Sequence, residues 1–117
     1  MTDSHGSSNK SAIAVDLDGT LAEYHGWKGV EHIGEPIGVM AARVDGWIRD
    51  GKRVVIFTAR VSGPRLESKI ARMHISAWLK ANHFPDLEIT CIKEKYFKEF
   101  WDDRAVQVKC NTGERIG

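Results

Sequence analysis

Asp16 and Asp18 stand two residues apart at the end of a short apolar run, AIAVDLDGTL, and Gly19 follows them. Residues i and i+2 of an extended chain share one side, so this spacing presents two carboxylates in the same direction. Such a pair suits phosphoryl transfer. In such chemistry Asp16 would attack phosphorus, while Asp18 would protonate the leaving oxygen and later deprotonate the water that hydrolyses the acyl phosphate. Gly19 lets the backbone turn without a side chain in the way. Three further places supply the remaining parts. Thr58, in IFTAR, offers a hydroxyl, and the amides around it can cradle phosphate oxygens; Lys93 offers a fixed positive charge; Asp102 and Asp103, in FWDDRA, offer two more carboxylates. Carboxylates converging on one point repel strongly unless a cation sits among them, and all-oxygen ligands suit Mg²⁺.

These places are far apart in sequence, so the fold must gather them. Each follows its own apolar run. Ala12 begins a run that reads as a buried parallel strand. The stretch 22–36, with Gly26, Gly29 and Gly34, has no clean period and reads as a long loop or small hairpin over the strand end. Ile37, Met40, Ala41, Val44, Trp47 and Ile48 then recur at helical steps, with Pro36 before them and Gly51 after. RVVIFTAR is a β-branched, aromatic run of strand length. From Pro64 to Asn82 a second helix is predicted, with Leu66, Ile70, Met73, Ala77, Trp78 and Ala81 on one face and Asn82 as its C-terminal cap. Leu87 to Ile92 and Phe97 to Trp101 read as third and fourth strands, and Asn111-Thr112-Gly113 as the turn of a small terminal hairpin. Strands alternating with helices predict an α/β, Rossmann-like domain: a mainly parallel sheet, helices on both faces, and ligands bound beyond the carboxyl ends of the strands.

The chain has 117 residues, which allows one core and one domain, expected over 12–117; residues 1–11 are small and polar and read as a tail outside it. No apolar run approaches the roughly 18 residues of a membrane span, and the N-terminus is polar, so a cytoplasmic protein without membrane contact is expected. Cys91 and Cys110 lack CxxC spacing and read as reduced thiols. Charge is uneven: residues 1–51 carry 4 basic and 8 acidic side chains, residues 52–117 carry 13 and 8. That excess suits a phosphorylated ligand but falls short of a dedicated nucleic-acid-binding face.

The run AVDLDGTL resembles the first motif, DxDGT after a strand, of the haloacid dehalogenase-like hydrolases. Thr58 is similar to the family's second motif, Lys93 to the third, with Lys95 two residues on open to the same role, and Asp102-Asp103 to the acidic fourth; the resemblance spans about Ala12 to Val108. It implies a Mg²⁺-dependent phosphomonoesterase that passes through an aspartyl phosphate on Asp16. Asp16 and Asp102 would bind the metal through side chains, Asp18 through its backbone carbonyl, and Asp103 directly or through water. Leu17, Ala59, Arg60 and Arg104 fall where the family contacts substrate. The segments after the first and second motifs are too short for a cap domain, so the resemblance implies a capless member. Its open site would be covered by a macromolecular substrate, by a neighbouring copy in a homo-oligomer, or by a flap carrying His25, Trp27 and His32. Threonine-arginine paired with DDR is also similar to the phosphatase domain of phage polynucleotide kinases, which extends the expected substrates to nucleotides and phosphorylated nucleic-acid ends.

Acidic residues after strands are often only turn formers, and for a single Asp-Gly that reading suffices; it does not account for four places at once. Arg60 and Arg104 can equally pair with structural carboxylates. Two rival functions share the residues. An alcohol in place of water would make the chain a phosphotransferase, and a non-catalytic phosphate-binding or scaffold protein could use the same fold.

Overall fold

The computed structural model describes residues 11–117. The predicted tail therefore lies, apart from Ser11, outside the described residues. Strand β1 (Ala12–Val15) is buried throughout. It pairs in parallel with β2 (Arg53–Phe57) on one side and β4 (Phe97–Trp101) on the other, and β2 pairs in parallel with β3 (Glu88–Thr90), giving the order β3-β2-β1-β4. Because all four strands run the same way, Asp16, Thr58, Cys91 and Asp102 emerge at one edge. The α/β class and the parallel sheet are those expected from the alternating runs. No helix among the described residues is long and apolar enough to cross a membrane.

Helix α1 (Gly38–Arg49) and helix α2 (Arg65–Ala81) both pack into one core with Ile13, Val15, Val54 and Ile56. The expected division of helices between the two faces is thus not what forms. The connections β1-α1-β2 and β2-α2-β3 step in the same direction along the sheet, and right-handed crossovers then put both helices on one side. The chain returns from β3 to β4 through 91–96 without a helix. This segment crosses the other face, where Ala12, Ala14, Val55 and Phe97 are buried. There Glu94 Oε1 lies 3.5 Å from Arg53 Nη2, and Phe57, Phe97 and Phe100 meet edge to face.

α1 buries the predicted side, with Met40 and Val44 inside and Ile37, Ala41, Trp47 and Ile48 against them. α2 does not. Ala71, Ile75 and Leu79 face the core, while Leu66 and Met73 are 69% and 64% exposed. The helix carries two apolar stripes, and Trp78 decides between them: its Nε1 donates to the Gly34 carbonyl at 2.8 Å and its ring stacks on Phe84, 6.0 Å between centroids. That fixes the rotation that turns Ile75 and Leu79 inward. Fully buried side chains of this size each contribute about 1.5–3 kcal/mol.

The loop after β1 is closed at its base. Ile37 N–H donates to Leu21 O at 2.7 Å and Glu23 N–H to Glu35 O at 2.8 Å. Gly34 sits so close that a Cβ there would overlap the Glu23 carbonyl. The terminal hairpin forms as expected, with an antiparallel bridge between Val108 and Arg115 and positive φ at Asn111 and Gly113.

Candidate functional site

Pairing between β1 and β4 continues one residue past the strands: Asp16 N–H donates to Trp101 O at 2.8 Å. This register sets Asp16 beside Asp102 and Asp103, and one oxygen from each of the three carboxylates lies within 4.8 Å of the others. Burial first, then the charge of Asp102 and the approach of Asp103, push the Asp16 carboxyl up from its ordinary 3.8 to about 7, against a smaller opposing pull from the Leu17 amide.

Thr20, the threonine of the DxDGT run, organises the cluster. Its hydroxyl oxygen accepts the Asp103 N–H at 3.0 Å, and its O–H is 3.4 Å from Asp103 Oδ1 and 3.5 Å from Asp16 Oδ2. One hydroxyl proton serves only one of these carboxylates at a time. Gly19 makes room for the group. It has φ +86°, and a Cβ there would lie 2.8 Å from Asp103 Cγ. Gly19→Ala is expected to lower the unfolding free energy by about 2 kcal/mol, from the left-handed backbone and the displaced carboxylate together. Urea denaturation measures this; an unchanged midpoint would mean that the turn and Asp103 relax freely.

Asp18 points elsewhere. Arg60 Nε donates to its Oδ2 at 2.7 Å and Arg60 Nη2 to its Oδ1 at 2.9 Å, so both oxygens are engaged. The same guanidinium reaches the loop carbonyls of Val30 at 3.3 Å and His32 at 2.9 Å, and lies 4.8 Å from the Trp27 ring centroid. The Arg60 side chain is 5% exposed. The resemblance implies that it contacts substrate; in the structure its donors go to Asp18 and the loop, at the wall of the cleft. Its position comes from Thr58, which is buried at the end of β2 and accepts the Arg60 N–H at 3.1 Å, starting a 3₁₀ turn over Ala59–Val61.

Asp16, Asp18, Thr58, Ala59, Arg60, Asp102, Asp103 and Arg104 all line one cleft of about 840 Å³. The Asp102 carboxylate also accepts the Arg104 N–H at 2.7 Å, which holds Asp102 in its turn. Leu17 takes part only through its backbone, for its side chain is fully buried. Lys93 is not in the cleft wall. Its Nζ lies 5.1 Å from the Phe100 ring centroid, and Lys95 Nζ 5.3 Å from that of Tyr96, because 91–96 runs down across the sheet face and not over the strand ends. The cleft wall also includes Tyr24, Trp27, Phe57 and Cys91. Of these only Trp27 has a sequence signal, as part of the candidate flap.

No family model and no curated protein sequence matches the chain. Among solved structures it is similar to a conserved protein from Bacteroides thetaiotaomicron, 22% identical with a TM-score of 0.54, over 84% of this chain and 79% of that one. At this identity the likeness is one of fold.

Proposed function

We propose that this chain is a Mg²⁺-dependent phosphomonoesterase of the haloacid dehalogenase-like type, with Asp16 as nucleophile. The observation that supports it most is the meeting of Asp16, Asp102 and Asp103 within 4.8 Å at the carboxyl ends of β1 and β4. Burial first, and then the neighbouring carboxylates, raise Asp16 to about 7, and an all-carboxylate donor set fits a hard divalent cation. Asp16, Asp102 and Asp103 would hold Mg²⁺ through side chains, and Asp18 through its carbonyl. The ion would shield Asp16 from the phosphate and draw charge from a phosphoryl oxygen.

The chain's own residues do the rest. An Asp16 oxygen attacks phosphorus as the bond to the leaving oxygen breaks, and Asp18, which enters this step protonated, passes its proton to that oxygen. Water then attacks the phosphorus of the acyl phosphate, its proton goes to Asp18, and phosphate leaves with Asp16 restored. Thr58 and the Ala59 amide, at the open start of the 3₁₀ turn, donate to the equatorial oxygens, and Arg104 supplies the positive charge that Lys93 supplies only by leaving Phe100. For the proton transfers Asp18 must release one of its two bonds to Arg60.

The test is phosphate release from p-nitrophenyl phosphate, sugar phosphates, nucleotides and 3′- or 5′-phosphorylated oligonucleotides. Release is expected with Mg²⁺, to stop with EDTA, and to return when Mg²⁺ is restored in excess. Folded protein that releases no phosphate from any of them would sink the hydrolase reading and favour a binding or phosphotransfer role.

A further inference from the structure

Trp27 raises a question that the phosphate chemistry leaves open. Its ring is 59% exposed on the cleft wall, although one face lies 4.8 Å from the Arg60 guanidinium. A tryptophan kept only to cover a buried ion pair would bury its ring against that pair, because exposing so large an apolar surface to water is unfavourable. Here more than half of the residue stays exposed despite the Arg60 contact. Tyr24, on the same loop and in the same wall, is 46% exposed. The ring is also braced: Arg60 carries it on one side and is fixed on the other by both oxygens of Asp18 and two loop carbonyls.

The contacts run in sequence from Asp18 to Arg60 to Trp27, and this order gives the ring its meaning. If Asp18 protonates the leaving oxygen, that oxygen must come within hydrogen-bond reach of Asp18, and the group attached to it extends toward the loop. The loop offers it an electron-rich aromatic ring held against Arg60 on the cleft wall. About 840 Å³ of cleft is far more than a phosphate group fills.

We propose that Trp27 is a specificity-determining residue that stacks on a flat ring in the leaving group, so that the preferred substrates are phosphomonoesters of alcohols bearing an aromatic or heteroaromatic ring. This rests on the phosphomonoesterase reading, which fixes the side on which the leaving group lies. Stacking contacts removed by alanine substitution are worth about 1–3 kcal/mol in other ring-binding proteins, or roughly 5- to 150-fold; an exposed single platform belongs at the lower end.

Benzyl phosphate and cyclohexylmethyl phosphate test it, since they match in size and leaving-group type and differ in flatness. Wild type is expected to favour the benzyl ester about 5- to 10-fold in kcat/KM, Trp27→Phe to keep most of that preference, and Trp27→Ala to reduce it to within about twofold of unity. Adenosine 5′-phosphate against ribose 5-phosphate, run alongside, separates a nucleobase from a simple aryl ring as the source of the preference. Calorimetric binding of the same esters to wild type and both variants makes the outcome independent of turnover. A flat-ring preference in binding that Trp27→Ala removes, without phosphate release, upholds the platform and overturns the hydrolase reading. Release of both esters with equal efficiency, a preference that survives in Trp27→Ala, or binding of neither ester overturns the platform.

Discussion

Asparagine in place of Asp16 will abolish phosphate release, by more than about a thousandfold, and will also make the Mg²⁺-free protein more stable above neutral pH. The first effect follows from removing the nucleophile, for an amide oxygen at the same place does not form the acyl phosphate. The second follows from the burial of the Asp16 carboxyl and, after that, from the carboxylates beside it. The folded chain holds the Asp16 proton more tightly than the unfolded chain, about 7 against 3.8. The stability from this group is therefore complete below about 3.8 and is lost as pH rises through about 7. With allowance for solvent screening of a half-buried group, the loss between about pH 4 and pH 8 is about 1–2 kcal/mol. The Asp16→Asn side chain carries no charge, so the difference in melting temperature between variant and wild type should grow from about pH 5 to pH 8 in EDTA and shrink when Mg²⁺ is added. Loss of activity with no pH-dependent gain in stability would mean that neither burial nor the carboxylates of Asp102 and Asp103 raise the Asp16 carboxyl.

The rim of the sheet is legible in the sequence because a parallel strand must end somewhere, and the polar residue that ends each apolar run lands on the same edge as the others. Asp16, Thr58 and Asp102 are placed that way. The register between them is not legible. Nothing in the periodicity says that β4 pairs beside β1, yet the bond from Asp16 N–H to Trp101 O is what brings Asp102 within reach of Asp16. Thr20 stands in the DxDGT run, but its partner is not legible there, because its link to Asp103 spans 83 residues. Periodicity alone turns α2 to the wrong side because Leu66, Ile70 and Met73 form as regular a stripe as Ala71, Ile75 and Leu79. A contact outside the helix, Trp78 on Gly34, selects between them. Lys93 has the pattern of a rim residue because it follows a strand-like run, but the chain returns from β3 across the sheet face, where Lys93 lies over Phe100, and no local pattern gives that path. Local pattern thus places what strands end with, and long-range pairing places what those ends touch.

Arg60→Ala is expected to cost most where the leaving group is hardest to expel. Arg60 is not needed to hold the phosphate itself: its donors go to Asp18, 42 residues away in sequence, and to the loop. It is a positioning residue for the proton donor. Without it, Asp18 is free to rotate and the loop is no longer tied to the floor of the cleft. General acid catalysis typically contributes about 10²- to 10⁴-fold, and that contribution scales with how much the leaving oxygen needs a proton. Phenyl phosphate and p-nitrophenyl phosphate share a ring and so share any stacking on Trp27, but phenolate is much the poorer leaving group. For Arg60→Ala, kcat/KM should fall about a hundredfold or more with phenyl phosphate and less than about tenfold with p-nitrophenyl phosphate. Arg60→Lys should resemble alanine and not wild type, because an ammonium cannot make the paired bonds to a carboxylate that a guanidinium makes. Equal losses on both esters would reduce Arg60 to a brace for the fold, since loss of structure does not distinguish leaving groups. A gain in rate would carry the opposite meaning, that the paired bonds restrain Asp18 and that their release limits turnover in the wild type.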